Sequence, residues 1–131
     1  FNISHSSDFI LIIFGFDSFQ LGIDIEENNL LFNYLDIADQ YFTRQEKESL
    51  NCDSPSAQFF KIWTRKEALI KALGKEISDE MMSINVTEDK IDLKLSNVQS
   101  LFTKTFKADD QYIFSITATT PLNDVQFFDY K

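Results

Sequence analysis

From Ser54 to Gly74 the apolar residues Phe59, Ile62, Trp63, Leu69, Ile70 and Leu73 gather on one broad face at about 100° per residue, which predicts a long amphipathic helix. Both ends are marked. Ser54 suits the N-cap, Pro55 the first helical position, and Gly74 the left-handed residue beyond the last turn. Lys66 projects into the middle of the apolar face, so its ammonium must snorkel to the rim or meet an anion there. On one flank Glu67 and Lys71 stand one turn apart. That spacing makes either a surface ion pair or, beside an apolar face, a carboxylate for a hard cation and an ammonium for phosphate.

Upstream, the pattern changes period. Residues 9–16 are apolar on both faces and predict a strand, which a turn around Asp17 and Ser18 joins as a hairpin to a second strand, Gln20 to Glu26. In the second strand Leu21, Ile23 and Ile25 point one way, while Gly22, Asp24 and Glu26 point the other. Asp24 and Glu26 thus share a face about 7 Å apart. Like charges so placed repel unless a cation lies near, so the pair reads either as a solvated strand face or as a magnesium site. Phe1 to Ser6 is a short segment, loop or strand end, holding the only His, His5.

Between strand and long helix, Leu31, Leu35 and Ala38 recur at helical spacing, and Thr43 to Glu46 fits a capping box with Phe42 as its staple, predicting two short helices. After Gly74 strands are expected at Ser83 to Val86, Ile91 to Leu95, Leu101 to Lys107 and Tyr112 to Thr119. The last two should form a hairpin around Asp109 and Asp110. Phe127 to Tyr130 reads as an edge strand or a tail. Grouped helices and antiparallel strands give an α+β domain with the long helix packed on the sheet.

At 131 residues and 44% hydrophobic content, residues 1–131 suit a single domain with one real core. The 12 Lys+Arg against 21 Asp+Glu give a net charge of −9, which opposes general nucleic-acid binding. Any anionic ligand must be met by a local patch or a metal. A lone Cys beside a lone His makes neither an internal disulfide nor a usual zinc site, and points to a cytoplasmic protein. No apolar run is long enough to span a bilayer, so no membrane partner is expected. The chain begins with Phe and reads as a piece of something longer.

Three segments together resemble the 4′-phosphopantetheinyl transferase superfamily, in its longer, surfactin-synthetase-activating type. They are Phe1-Asn-Ile-Ser-His-Ser6, Gly22-Ile-Asp-Ile-Glu26 and Trp63-Thr-Arg-Lys-Glu-Ala-Leu-Ile-Lys-Ala-Leu-Gly74. The resemblance implies transfer of the phosphopantetheine arm of coenzyme A to a serine of an acyl or peptidyl carrier protein, with magnesium as cofactor. By match of motif, Asp24, Glu26 and Glu67 would hold the metal. Glu67 would also be the general base, Lys71 would neutralise the diphosphate, and Ser4 and His5 would touch coenzyme A phosphates. Gly74-Lys75-Glu76 departs from the family's usual Gly-Lys-Gly. The likeness covers the C-terminal portion of a long-type enzyme, one half of a pseudo-two-fold fold. The doubly apolar strand at residues 9–16 is therefore expected to lie against an N-terminal half-domain or a second copy of the chain.

The competing readings are a degenerate half-domain acting as an interaction module and a metal-dependent phosphohydrolase. A carrier would dock on a local patch, for which Lys61 and Arg65 on the solvent side of the helix, with Arg44 and Lys47 near, are the candidates.

Overall fold

A computed structural model describes residues 1–17, 19–95 and 98–130. Six strands and four helices run β1 (Asn2–Ser6), β2 (Phe9–Ile13), β3 (Leu21–Glu27), α1 (Leu35–Tyr41), α2 (Arg44–Ser49), α3 (Pro55–Leu73), α4 (Asp79–Met82), β4 (Lys90–Leu95), β5 (Val98–Lys107) and β6 (Tyr112–Ala118). The α+β class and the packing of the long helix on an antiparallel sheet are as expected. No described helix is long and apolar enough to cross a membrane.

The main sheet has the order β3-β6-β5-β4, all antiparallel. β6 is buried at every residue, so it takes the interior of the sheet and pairs with β3 on one side and β5 on the other. The expected hairpin of residues 9–16 with the strand ending at Glu26 is therefore overturned: β3 spends its backbone on β6, and β2 turns back onto β1 instead. Ser7, at φ +46°, makes that tight turn. Ser18 of the expected turn lies outside the described residues.

Two cores flank the sheet. One lies between α3 and the first face, where Phe59, Ile62, Leu69 and Ile70 meet Ile91, Leu101 and Ile113, with α1, α2 and α4 around them. The second lies on the opposite face, where Ile23, Ile25, Phe114 and Ile116 are covered by Phe9, Leu11 and Ile13 of β2 and by Leu122. Phe127 follows in an irregular tail rather than a strand, with its ring edge-on to Phe106 at 5.1 Å.

The long helix begins with Pro55 and ends at Gly74 in the left-handed conformation, as expected, although Ser54 makes no side-chain cap bond. The capping box of Thr43 and Glu46 is present. Leu31 and Leu35, in contrast, are exposed, and only Ala38 of that trio reaches the core. The strand expected at Ser83 to Val86 is absent. Ser78 caps the single turn α4, and the loop after it carries carbonyls that buried cations consume.

Those cations are Lys66 and Arg65. Lys66 meets an anion, as the apolar face demanded: its Nζ lies 3.0 Å from Glu46 Oε2 and donates to the carbonyls of Met82 and Ile84. Burial of Lys66 pulls its pKa down, and Glu46 opposes that pull. Arg65 overturns the expectation of a solvent-side docking patch, because it is only 2% exposed. Its guanidinium donates to Thr105 Oγ1, to the Val86 and Thr87 carbonyls and to Asp89. A forked donor so fully occupied holds α3 to the sheet and to the loop before β4.

Candidate active site

Gly22, Asp24 and Glu26 alternate onto the face of β3 that looks at α3. The contact is close: a Cβ on Gly22 would run into the backbone of Ala68 and Ala72. Glycine at this position therefore lets the helix lie directly against β3, and the flank carrying Glu67 and Lys71 comes down beside the strand carboxylates.

Lys71 is the link. Its Nζ donates to Asp24 Oδ1 and to the Ile23 carbonyl, both at 3.0 Å. Lys71 thus pairs across to the strand, and among the described residues no ion pair joins it to Glu67 within the helix. Asp24 is 6% exposed, and its other oxygen, Oδ2, is buried without a hydrogen-bond partner among the described residues. Burial raises the Asp24 pKa, against which Lys71 and the Ser4 hydroxyl pull down. Burial likewise raises Glu67, reinforced by the Asp24 charge and opposed by Lys71. Glu26 is pushed up to about 7, first by burial and then by the charges of Asp24 and Glu67. Burial raises all three carboxylates, and the Asp24 charge adds to the rise of Glu26 and Glu67, so the cluster around the single Lys71 ammonium is short of positive charge. Among the described residues, no three His, Cys, Asp or Glu side chains stand close enough to enclose a metal ion.

Ser4 and His5 part company. They are neighbours on a strand, so their side chains alternate. Ser4 is buried, donates to Asp24 Oδ1 and accepts from the Ile25 N–H, each at 3.2 Å. His5 is exposed on the outer face of the hairpin, opposite Ile10. Ser4, expected to touch a ligand phosphate, has its hydroxyl engaged by Asp24 and by the Ile25 N–H.

Sequence reasoning missed the way β1 serves β3. The side chains of Asn2, Ser4 and Ser6 accept in turn from the N–H groups of Ile23, Ile25 and Glu27. Side chains thus satisfy an edge that no described strand pairs, and Lys71 caps the Ile23 carbonyl on the same edge. The signal was present as small polar residues at every second position of Asn2 to Ser6. The hairpin's other face leaves Ile3, Ile10, Ile12 and Phe14 exposed beside Phe1.

Residues 20–119 match the model of the 4′-phosphopantetheinyl transferase superfamily. The chain is 32% identical over 128 residues to the 4′-phosphopantetheinyl transferase Sfp of Bacillus subtilis, an alignment covering 92% of this chain and 55% of that protein. It is equally similar to the 4′-phosphopantetheinyl transferase psf-1 of Bacillus pumilus, over 92% of this chain and 53% of the relative. A shorter match, 36% over 77 residues, links it to the 4′-phosphopantetheinyl transferase AcpT of Salmonella typhi, covering 56% of this chain and 40% of that protein. The chain spans about half the length of the curated relatives that it matches along nearly its whole extent.

Proposed function

The chain belongs to the 4′-phosphopantetheinyl transferase superfamily, and from that premise we propose that it carries the metal- and diphosphate-handling half of an enzyme that moves phosphopantetheine from coenzyme A to a carrier-protein serine. The observation that carries the reading is the convergence of Asp24, Glu26, Glu67 and Lys71 at the β3–α3 contact.

The donor set suits magnesium. Hard carboxylate oxygens are the right chemistry, Asp24 Oδ2 is buried with no partner, and the raised Glu26 and Glu67 would be relieved by a cation. Asp24, Glu26 and Glu67 would supply ligands to it, although in this structure the three do not by themselves enclose an ion, and it would supply charge neutralisation to the diphosphate oxygens. The remaining chemistry belongs to this chain's own side chains. Lys71 neutralises the diphosphate, and Ser4 keeps the Asp24 carboxylate in place. Glu67 takes the proton from the serine hydroxyl, directly or through water, as the serine oxygen bonds to the pantetheine-bearing phosphorus. The bond from that phosphorus to adenosine 3′,5′-bisphosphate then breaks. His5, exposed on the outer face, would meet a phosphate of coenzyme A arriving over the hairpin.

The apolar outer face of the hairpin supports a join with a second half-structure, which we assign to an N-terminal half-domain. Light scattering with and without an upstream segment distinguishes this from pairing with a second copy.

Mass spectrometry of apo carrier protein incubated with coenzyme A and magnesium tests the function. A phosphopantetheine mass gain on the serine is expected, and Glu67→Gln should cut its rate by about 10² or more with the fold intact. Near-normal turnover in that variant defeats the base assignment. Release of phosphate alone would make the protein a hydrolase, and no change on carrier or ligand would leave an interaction module.

A further inference from the structure

A second feature lies on the opposite side of the sheet, at the edge of β5. β4 pairs with β5 only as far as Phe102, and the Thr103 N–H donates to the Asp89 carbonyl where the ladder ends. From there to Lys107 no described strand lies along the outer edge. The Ala108 N–H turns toward β6, onto the Tyr112 carbonyl, so by strand alternation the backbone groups of Thr105 and Lys107 turn outward. The first half of α3 forms the facing wall. Between wall and edge runs an open groove of about 570 Å³, with Ala57, Gln58 and Lys61 on one side and Lys104 to Lys107 on the other.

The groove's charge is the reverse of the protein's. Lys61, Arg65, Lys104 and Lys107 line it against a single carboxylate, Asp89, which Arg65 already holds at 2.7 Å. Among the described residues no carboxylate forms an ion pair with Lys61, Lys104 or Lys107. The N-terminus of α3 adds to the imbalance, since its first turn holds no acidic residue and Ser54 makes no side-chain cap bond there. On a chain of net charge −9, this is a concentrated local exception.

We propose that this groove is a docking site for an extended acidic polypeptide segment, which adds as a strand to the edge of β5 and places alternate carboxylates on the α3 side, against Lys61 and Lys107. The outward N–H and C=O groups of Thr105 and Lys107 supply main-chain pairing, and the lysines supply selection. Edge lysines ordinarily block strand addition. Here they block a second copy of the same edge, which would bring its own lysines, and leave an acidic strand as the complementary partner. Ionic screening over about 8 Å makes the groove's own lysines, rather than the net charge, decide close docking. β6 separates this edge from β3, so the site is distinct from the carboxylate cluster.

The test uses the full chain and a short synthetic peptide alternating threonine and glutamate. The only cysteine, Cys52, is exposed on the groove wall and takes an environment-sensitive fluorophore as reporter. Titration should give saturable binding that weakens with salt, with amide NMR shifts centred on Thr105 and Lys107. Lys61→Glu with Lys107→Glu, on the two walls of the groove, should weaken it by at least about tenfold. So should methylation of alternate peptide nitrogens, which removes strand pairing while keeping every charge. Equal binding of the methylated peptide, equal binding of single-stranded oligothymidylate, or no binding of the acidic peptide would each overturn the proposal.

Discussion

Replacing Gly22 with alanine tests whether the approach of helix to strand builds the carboxylate–lysine cluster. The added Cβ would stand 2.6 Å from the Ala72 nitrogen, and closer still to the Ala68 carbonyl oxygen, where ordinary contact begins at 3.4 Å. The helix must therefore retreat from β3 by at least 0.8 Å at Ala72, and further at Ala68. Both obstacles are backbone atoms, so no side-chain rotation relieves them. Overpacking of a core costs about 1–3 kcal/mol, and a clash with helix backbone belongs at the upper end, near 3 kcal/mol. Against a total stability of about 5–15 kcal/mol that is a large fraction, equivalent to a fall in Tm of roughly 10 °C. The same retreat carries Glu67 and Lys71 away from Asp24. Gly74→Ala is the control. Nothing lies within 4 Å of a Cβ there and only the left-handed φ of +60° is strained, so the cost should be about 1 kcal/mol and the site should be undisturbed. Urea unfolding followed by fluorescence of the single Trp63 measures both variants. If Gly22→Ala lost no more stability than Gly74→Ala, the close-contact account of the site would be wrong.

Other consequences follow from the buried charges. Lys66→Met should cost about 3–5 kcal/mol, because it strands Glu46 and two carbonyls in the core, and Lys66→Met with Glu46→Leu should recover part of that loss; a double variant no more stable than the single one would show that the pair does more than neutralise itself. The raised Glu26 carboxyl sets a pH trend. Its folded pKa of about 7 lies above the ordinary 4.5, so the native state is favoured while Glu26 is protonated, and that contribution is lost as pH rises from 4.5 through 7. In chelator, Glu26→Gln should flatten the fall in stability across that window and be more stable than the wild type above pH 7. Some slope should remain, because Asp24 and Glu67 are shifted the same way. Parallel pH profiles for the two proteins would remove Glu26 from the cluster.

Local pattern was sufficient for much of this protein. The long helix with Pro55 and Gly74 at its ends, the capping box at Thr43, the hairpin of β5 with β6 and the shared face of Asp24 and Glu26 all follow from periodicity or from residues that satisfy backbone groups within a few positions. The places of Asp24 and Glu26 on one strand and of Glu67 and Lys71 on one helix were legible for the same reason, since each lies in a short run whose spacing has meaning on its own strand or helix. Tertiary structure decided what those residues face. β3 pairs with β6 rather than with its neighbour in sequence, because a strand buried at every residue claims the sheet's interior, and burial is a property of the whole assembly. Arg65 looked like a surface charge on a helical wheel, yet it is buried because the loop after α4 presents carbonyls that only a long forked donor reaches. Lys71 chose Asp24 over Glu67 because Gly22 lets helix and strand approach. That contact spans 47 residues of sequence, and no local spacing encodes it.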